Sequence, residues 1–176
     1  MAHDTTTAHD SHVWFITGTS RGLGRALAEE VLAQGGRVVG TTRDGTSDWT
    51  APGLDTVALD LARPDSPALA VRAALAVHGH LDVVVNNAGH GLLGAIEETG
   101  EQEAARLFEV NFFGALRVLR AALPALRARG RGQVVNISSI AALAPMPGSG
   151  VYAASKAALS ALSESLAAEL APTGVR

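Results

Sequence analysis

The stretch Thr17-Gly18-Thr19-Ser20-Arg21-Gly22-Leu23-Gly24 decides how the rest of the chain is read. A short apolar run, 13–17, leads into it, and an Ala/Leu/Glu segment with helical spacing, 23–34, leads out of it. A strand–turn–helix of this kind brings unpaired amide N–H groups and the positive end of a helix dipole to one spot, where a pyrophosphate fits. Gly18 permits the tight turn, Gly22 lets a phosphate approach the backbone, and Gly24 lets the helix pack close to the sheet. The whole turn, with Ser20, Arg21 and Leu23, is therefore a candidate cradle. The plainer alternative is an ordinary strand–helix turn with convenient glycines. Its Gly-x3-Gly-x-Gly spacing is not the usual Gly-x-Gly-x-x-Gly, and it lacks the Gly-Lys-Ser/Thr of an ATP phosphate loop.

Outward from this turn, strand-like and helix-like segments alternate. Val/Ile-rich runs at 37–42, 56–59, 81–86 and 133–138 join the first at 13–17. Helical spacing occurs at 67–78, 101–129 and 152–171 as well as 23–34. Such alternation predicts an α/β fold built on a parallel sheet. The runs VVV and VVNI are apolar on both faces, as strands covered by helices on each side require. Gly35-Gly36 marks the end of the first helix, and Gly130 with Gly132 the end of the long one. Pro124 lies inside that long segment and predicts a kink or break there. The last residues, 171–176, read as a helix stop followed by the start of another strand.

The chain has 176 residues, 47% hydrophobic and 18% charged, which suits one soluble globular domain with a sizeable core. A net charge of -3 with scattered Arg forms no basic patch and argues against a nucleic-acid partner. Cysteine is absent, which removes disulfides, thiolate nucleophiles and Cys-based zinc sites together. The opening MAHDTTTAHDSH has no apolar stretch that could serve as a secretory signal, and no run approaches the roughly 18 apolar residues of a membrane span. The default expectation is a cytoplasmic protein without membrane contact. His3, His9, His12, Asp4 and Asp10 could suggest metal binding, but residues 1–12 are read as a disordered polar leader and no metal is expected.

The second strand ends at Thr42, followed by Arg43 and Asp44. An acidic residue at such a strand end accepts bonds from an adenosine ribose in NAD-binding folds. Here Arg43, with Arg21 approaching from the glycine turn, offers two guanidinium groups suited to a 2′-phosphate, which favours NADP over NAD. Two alternatives stay open: both arginines are solvated surface charges, or a small register shift lets Asp44 serve NAD.

The chain's one tyrosine, Tyr152, and one lysine, Lys156, stand four residues apart. On a helix these positions share a face, so the ammonium sits near the phenol and favours its ionised form. A tyrosine so placed can exchange a proton with an alcohol or carbonyl oxygen. A core-packing Tyr beside a snorkelling Lys is the bland alternative. Ser138 and Ser139 follow the strand at 133–138, where an open parallel sheet presents its ligand crevice, and one of them can hold a substrate oxygen. Asn86, Asn87, Ala88 and Gly89 close the fourth strand, where asparagine is often only a turn former. Asn111 falls mid-helix among apolar neighbours and, if buried, needs a polar partner.

Together these residues closely resemble the short-chain dehydrogenase/reductase family over about 13–176. TGTSRGLG resembles its cofactor glycine motif, Asp60 in the LDL of 59–61 the acidic residue beside the adenine, and NNAG at 86–89 the motif near the nicotinamide ribose. YAASK at 152–156 matches the Tyr-x3-Lys signature. The resemblance implies a Rossmann-like doubly wound parallel sheet flanked by helices, with 13–176 as the dinucleotide-binding catalytic domain. It implies an NADP-dependent oxidoreductase moving a hydride between nicotinamide and a carbonyl or alcohol substrate. The family's catalytic serine lies thirteen residues before the tyrosine, which selects Ser139 over Ser138. Ser139 then holds the substrate oxygen, Tyr152 passes the proton, Lys156 binds the nicotinamide ribose, and Asn111 anchors a water that links Lys156 to solvent. The cofactor set becomes Gly18, Ser20, Arg21, Gly22, Leu23, Gly24, Arg43, Asp60, Leu61, Asn87, Ala88, Gly89, Tyr152 and Lys156. A homodimer or homotetramer paired through the helices at 101–129 and 152–171 is also implied. Family members continue into further strands and a substrate-covering helical segment, so the fold is expected to be C-terminally truncated. A reading of different class follows from that departure: a non-catalytic relative that binds nucleotide or only associates through its helices.

Overall fold

The computed structural model describes residues 12–176. Five strands form one all-parallel sheet: β1 (Val13–Ile16), β2 (Arg37–Thr42), β3 (Leu54–Ala58), β4 (Val83–Asn86) and β5 (Gln133–Asn136). Their order is β3-β2-β1-β4-β5. The chain steps outward from β1 to one side and then returns to start β4 on the other. The C-terminal ends of β1 and β4 therefore lie side by side at the reversal, the place where an open α/β sheet forms its ligand crevice.

Alternation along each strand sends side chains to two separate cores. Val13, Phe15, Val39 and Val84 pack on one face against α2 (Ser66–His78), α4 (Ala115–Arg129) and α5 (Gly150–Leu170). Ile16, Val38, Val83 and Val85 pack on the other face against Ala28 and Val31 of α1 (Gly22–Ala33). The VVV of β4 is thus apolar throughout because neighbouring residues serve opposite layers.

His12, counted with the leader by its sequence, lies just before β1 and is tied to β2: its carbonyl accepts the Arg37 N–H at 2.9 Å. The remaining leader residues proposed as polar and disordered, with His3, Asp4, His9 and Asp10, lie outside the described residues. β3 begins at Leu54, two residues before the expected run, because Val38 to Thr42 of β2 pair with Leu54 to Ala58 in register.

The largest departure from expectation concerns the long helix. It is interrupted at Glu109–Gly114, where one π-helical turn separates α3 (Glu101–Phe108) from α4. The break does not fall at Pro124, which lies inside the uninterrupted α4. Pro124 and Arg120, the residue whose carbonyl loses its helical partner, are both exposed, so water can satisfy that oxygen. At the far end Val175 and Arg176 lie parallel to the start of β5: Gly132 bridges Val175, and the Val134 N–H donates to the Arg176 carbonyl at 2.7 Å. Val175 is buried in the first core. Among the described residues no helix is long and apolar enough to cross a membrane.

Candidate active site

The glycine turn connects β1 to α1 and is held open by its neighbours. Gly18 sits at φ 74° and donates its N–H to Thr41 Oγ1 at 3.1 Å. Thr17 is fully buried, and its Oγ1 accepts the N–H groups of both Asn87 and Ala88 at 2.9 Å. The Asn87 amide returns the favour, donating from Nδ2 to the carbonyls of Thr17 at 2.8 Å and Gly18 at 3.1 Å. The ends of β1 and β4 are thereby fastened into one unit. Gly24 is the residue that lets α1 come this close: a Cβ there would overlap the Gly18 carbonyl oxygen and Asn87 Nδ2. Asn87 is more than the turn former its residue type allows. Asn86 turns the other way, donating to Asn136 Oδ1 at 2.8 Å and to the Ala115 carbonyl at 3.4 Å.

A cleft of about 860 Å3 opens over this unit. Gly18, Ser20, Arg21, Gly22, Leu23 and Gly24 line one side of it, and Asn87, Ala88 and Gly89 another. Arg43, Asp60 and Leu61 line it as well, so the expected cofactor set apart from Tyr152 and Lys156 faces one cavity. Thr41, Thr42, Leu59, His90 and Val110 also line it and were not singled out by sequence. The two threonines close β2, so their position was readable from the strand end. Nothing in the local pattern marks Val110.

Arg21 and Arg43 are both exposed at the cleft, and neither is ion-paired with any described residue. Asp44, in contrast, is spent on its own loop. Its Oδ1 accepts the Thr46 N–H at 3.0 Å and the Thr46 hydroxyl at 2.8 Å. These bonds hold the Asp44 carboxyl below the usual aspartate range. Asp60 is similarly committed in part, with Oδ1 accepting the Ala62 N–H at 3.0 Å.

Gly89 is one of the lining residues. A Cβ at that position would lie 3.4 Å from Lys156 Nζ and 3.0 Å from Asn111 Oδ1. Lys156 is 5% exposed, and its Nζ donates to the Ile137 carbonyl, at the end of β5, at 2.8 Å. Burial pushes its pKa below the ordinary 10.5, because a desolvated ammonium is costly. Tyr152 stands one turn earlier on α5, half-buried, and its hydroxyl bonds none of the described residues. Asn111 is 2% exposed and lies within the π-helical turn. Its Oδ1 accepts the His90 N–H at 3.1 Å while its Nδ2 donates to the His90 carbonyl at 2.9 Å and to Ser155 Oγ at 3.2 Å. The partner that a buried mid-helix asparagine demanded is therefore the backbone of the loop after β4.

The two serines after β5 divide cleanly. Ser138 Oγ points into the sheet–helix seam, bonding the Lys156 carbonyl at 3.2 Å and Ser160 Oγ at 2.7 Å. Ser139 Oγ accepts the Ala141 N–H at 3.2 Å, capping the short 3-10 turn Ile140–Ala142. An acceptor role leaves its O–H free to donate elsewhere. Among the described residues no cluster of His, Asp and Glu could hold a metal ion.

Fold and site together define an α/β protein with a cleft at its topological switch point and a Tyr-x3-Lys helix whose Lys156 packs beside Gly89 of that cleft. The chain belongs to the short chain dehydrogenase family, whose profile it matches over residues 12–176. It is 42% identical over 171 residues to the oxidoreductase calM of Penicillium decumbens, covering 90% of this chain and 56% of that protein. A metagenomic short-chain oxidoreductase solved in complex with NADP superposes with a TM-score of 0.88 at 38% identity, over 94% of this chain and 78% of that one. The 3-ketoacyl-(acyl-carrier-protein) reductase of Brucella melitensis, solved with NADH, gives 0.89 at 30% identity, over 94% and 72%. The chain spans little more than half the length of the first curated relatives it matches.

Proposed function

We propose that this chain carries the cofactor-binding and proton-transfer machinery of an NADP-dependent oxidoreductase acting on a carbonyl or alcohol group. One observation supports this most: a single cleft runs from the glycine turn, with two unpaired guanidinium groups beside it, to Gly89, against which Lys156 and Asn111 are packed. Its volume of about 860 Å3 lies within the range of roughly 300–1,000 Å3 usual for ligand sites. The start of α1 has no side-chain cap, so its first N–H groups remain for an anion. A dinucleotide fits such a site, and its nicotinamide would supply or take up the hydride.

The protein's own groups do the rest. Gly18 to Gly24 hold the pyrophosphate, and Arg21 with Arg43 take the 2′-phosphate. Commitment of Asp44 to Thr46 supports the phosphate-binding reading over one in which a carboxylate meets a bare ribose. Lys156, fixed by the Ile137 carbonyl, keeps two further N–H donors for a ribose hydroxyl. Ser139 donates a hydrogen bond to the substrate oxygen, and Tyr152 gives a proton to that oxygen in reduction or takes it in oxidation. Asn111 Oδ1 keeps a second lone pair beyond the one used by His90, enough to anchor a water toward Lys156.

Titration of the 176-residue chain with NADPH and NADH, followed by cofactor fluorescence, tests the reading. NADPH is expected to bind more tightly, and Arg43→Asp to weaken it by about tenfold or more while leaving NADH equal or better, as loss of a charge-assisted bond plus added repulsion requires. An unchanged preference refutes the phosphate role. Binding of neither cofactor refutes the enzyme reading and favours a relative that acts only through association.

A further inference from the structure

The loop between β2 and β3 carries a residue with no place in the site so far. Trp49 donates from Nε1 to the Thr19 carbonyl, inside the glycine turn, at 3.1 Å across 30 residues of chain. Its own backbone is fixed by Ser47: the Ser47 hydroxyl donates to the Trp49 carbonyl at 2.8 Å and accepts the Trp49 N–H at 3.3 Å. The other side of the connection is Arg25 on α1. Its guanidinium stacks over the Trp49 ring at 5.1 Å, bonds Glu29 at 2.9 Å and reaches Asp48 at 3.7 Å. One indole thus joins three pieces: the turn that follows β1, the first turns of α1, and the loop that begins with Arg43.

The anchor acts on the part of the turn that matters for an anion. In a trans peptide the C=O and N–H point in opposite directions. Holding the Thr19 carbonyl on the indole therefore fixes the direction of the Ser20 N–H, and Ser20 lines the cleft. Thr19 is held on its other flank by its N–H to the Thr41 carbonyl at 2.9 Å. Thr17, Gly18 and Thr19 are thus held by Thr41 and Asn87, whereas Ser20, Arg21 and Gly22 are exposed, and the indole is the contact that holds the Thr19 carbonyl leading into them. A turn that must be ordered at the moment of binding costs affinity, and one ordered beforehand does not.

We propose that Trp49 is a positioning residue for dinucleotide binding, which sets the glycine turn through the Thr19 carbonyl and clamps the Arg43 loop to α1 through Arg25. The inference rests on the nucleotide-binding reading above but concerns a residue that does not itself line the cleft.

Trp49→Phe removes the N–H donor and keeps an aromatic face for Arg25; Trp49→Ala removes both. Kd for NADPH and NADH is read by calorimetry on each variant, beside thermal unfolding. Trp49→Phe should weaken NADPH about fivefold, the scale of one lost hydrogen bond, with little change in unfolding temperature. Trp49→Ala should weaken it further, and more for NADPH than for NADH because the Arg43 loop is released as well. A purely structural tryptophan would lower the unfolding temperature and the fraction of competent protein, and leave Kd unchanged. Equal Kd values for Trp49→Phe and the unmutated chain overturn the proposal while the nucleotide reading stands. Failure of the unmutated chain to bind either cofactor overturns both. If Trp49→Ala does not fold, Trp49→Phe alone decides the matter.

Discussion

Replacing Gly24 by alanine sets two opposing effects against each other. On a helix surface the change is favourable, by up to about 1 kcal/mol, because alanine is the better helix former. Here the added methyl would overlap the Gly18 carbonyl oxygen and Asn87 Nδ2. To make room, α1 must move off the Gly18 carbonyl and Asn87 must release its bonds to the carbonyls of Thr17 and Gly18. Two lost hydrogen bonds cost about 1 kcal/mol each, and forced repacking adds roughly 1–3 kcal/mol. The balance is a net loss of about 2–4 kcal/mol, or roughly 5–15 °C in Tm for a domain of this size. Urea unfolding followed by circular dichroism measures it, with the slope expected unchanged. Gly91→Ala is the control. A methyl there meets nothing within 4 Å, so stability should stay within about 0.5 kcal/mol. A Gly24→Ala protein as stable as the original would refute the close-approach argument, and with it the account of how the cleft is held open.

Tyr152→Phe should reduce turnover over a panel of ketones and aldehydes by about 10²–10⁴-fold while leaving Kd for NADPH within about twofold. Retained turnover would remove Tyr152 from proton transfer. Lys156 gives a pH prediction whose sign follows from burial. Its folded-state value lies below the 10.5 of the unfolded chain, so between the two the unfolded chain binds more protons. The cost of burying the charge is fully present below the folded value and is relieved as pH rises toward 10.5. Urea midpoints should therefore gain a stabilising increment on the alkaline side in the unmutated chain that Lys156→Met lacks. Parallel pH profiles for the two proteins would show that Lys156 is not desolvated.

Much of the fold was legible because its signals are local. β4 reads VVVN and β1 reads VWFI, four residues each, so their burial on both faces followed from composition, and the central Val38-Val39 pair marked β2 in the same way. The glycine turn was legible from its setting, between such a strand and an amphipathic helix. Tyr152 and Lys156 were legible as neighbours because helical geometry turns a spacing of four into proximity. The long-range partners that hold the glycine turn were not. Thr17, Thr41 and Trp49 act across 70, 23 and 30 residues of chain, and a threonine at a strand end or a tryptophan in a loop carries no local mark of such a partner. The choice between Ser138 and Ser139 shows the same limit. Both follow β5, and strand-end chemistry alone does not separate them: the family's spacing to Tyr152 picked Ser139, and the seam with Ser160 shows where Ser138 points.

The segment around Asn111 shows how a local rule fails when a distant contact outweighs it. Apolar spacing over 101–129 predicts one helix broken by Pro124, since proline carries the strongest local penalty. The chain instead accommodates Pro124 on its exposed side and breaks its hydrogen-bond ladder at Glu109–Gly114. Two contacts accompany that break. Gly114 lies against Leu61 so tightly that a Cβ would come within 2.7 Å of its side chain, and Asn111 meets both backbone groups of His90. A π-helical turn carries one residue more than the ladder on either side and re-aims the side chains within it, and such turns are frequent at functional sites. With Asn111 so aimed, His90 and Ser155 are joined through one buried amide, and the cleft lining at His90 is tied to the helix that bears Tyr152 and Lys156. The irregularity is therefore where the two halves of the candidate site are brought into a fixed relation.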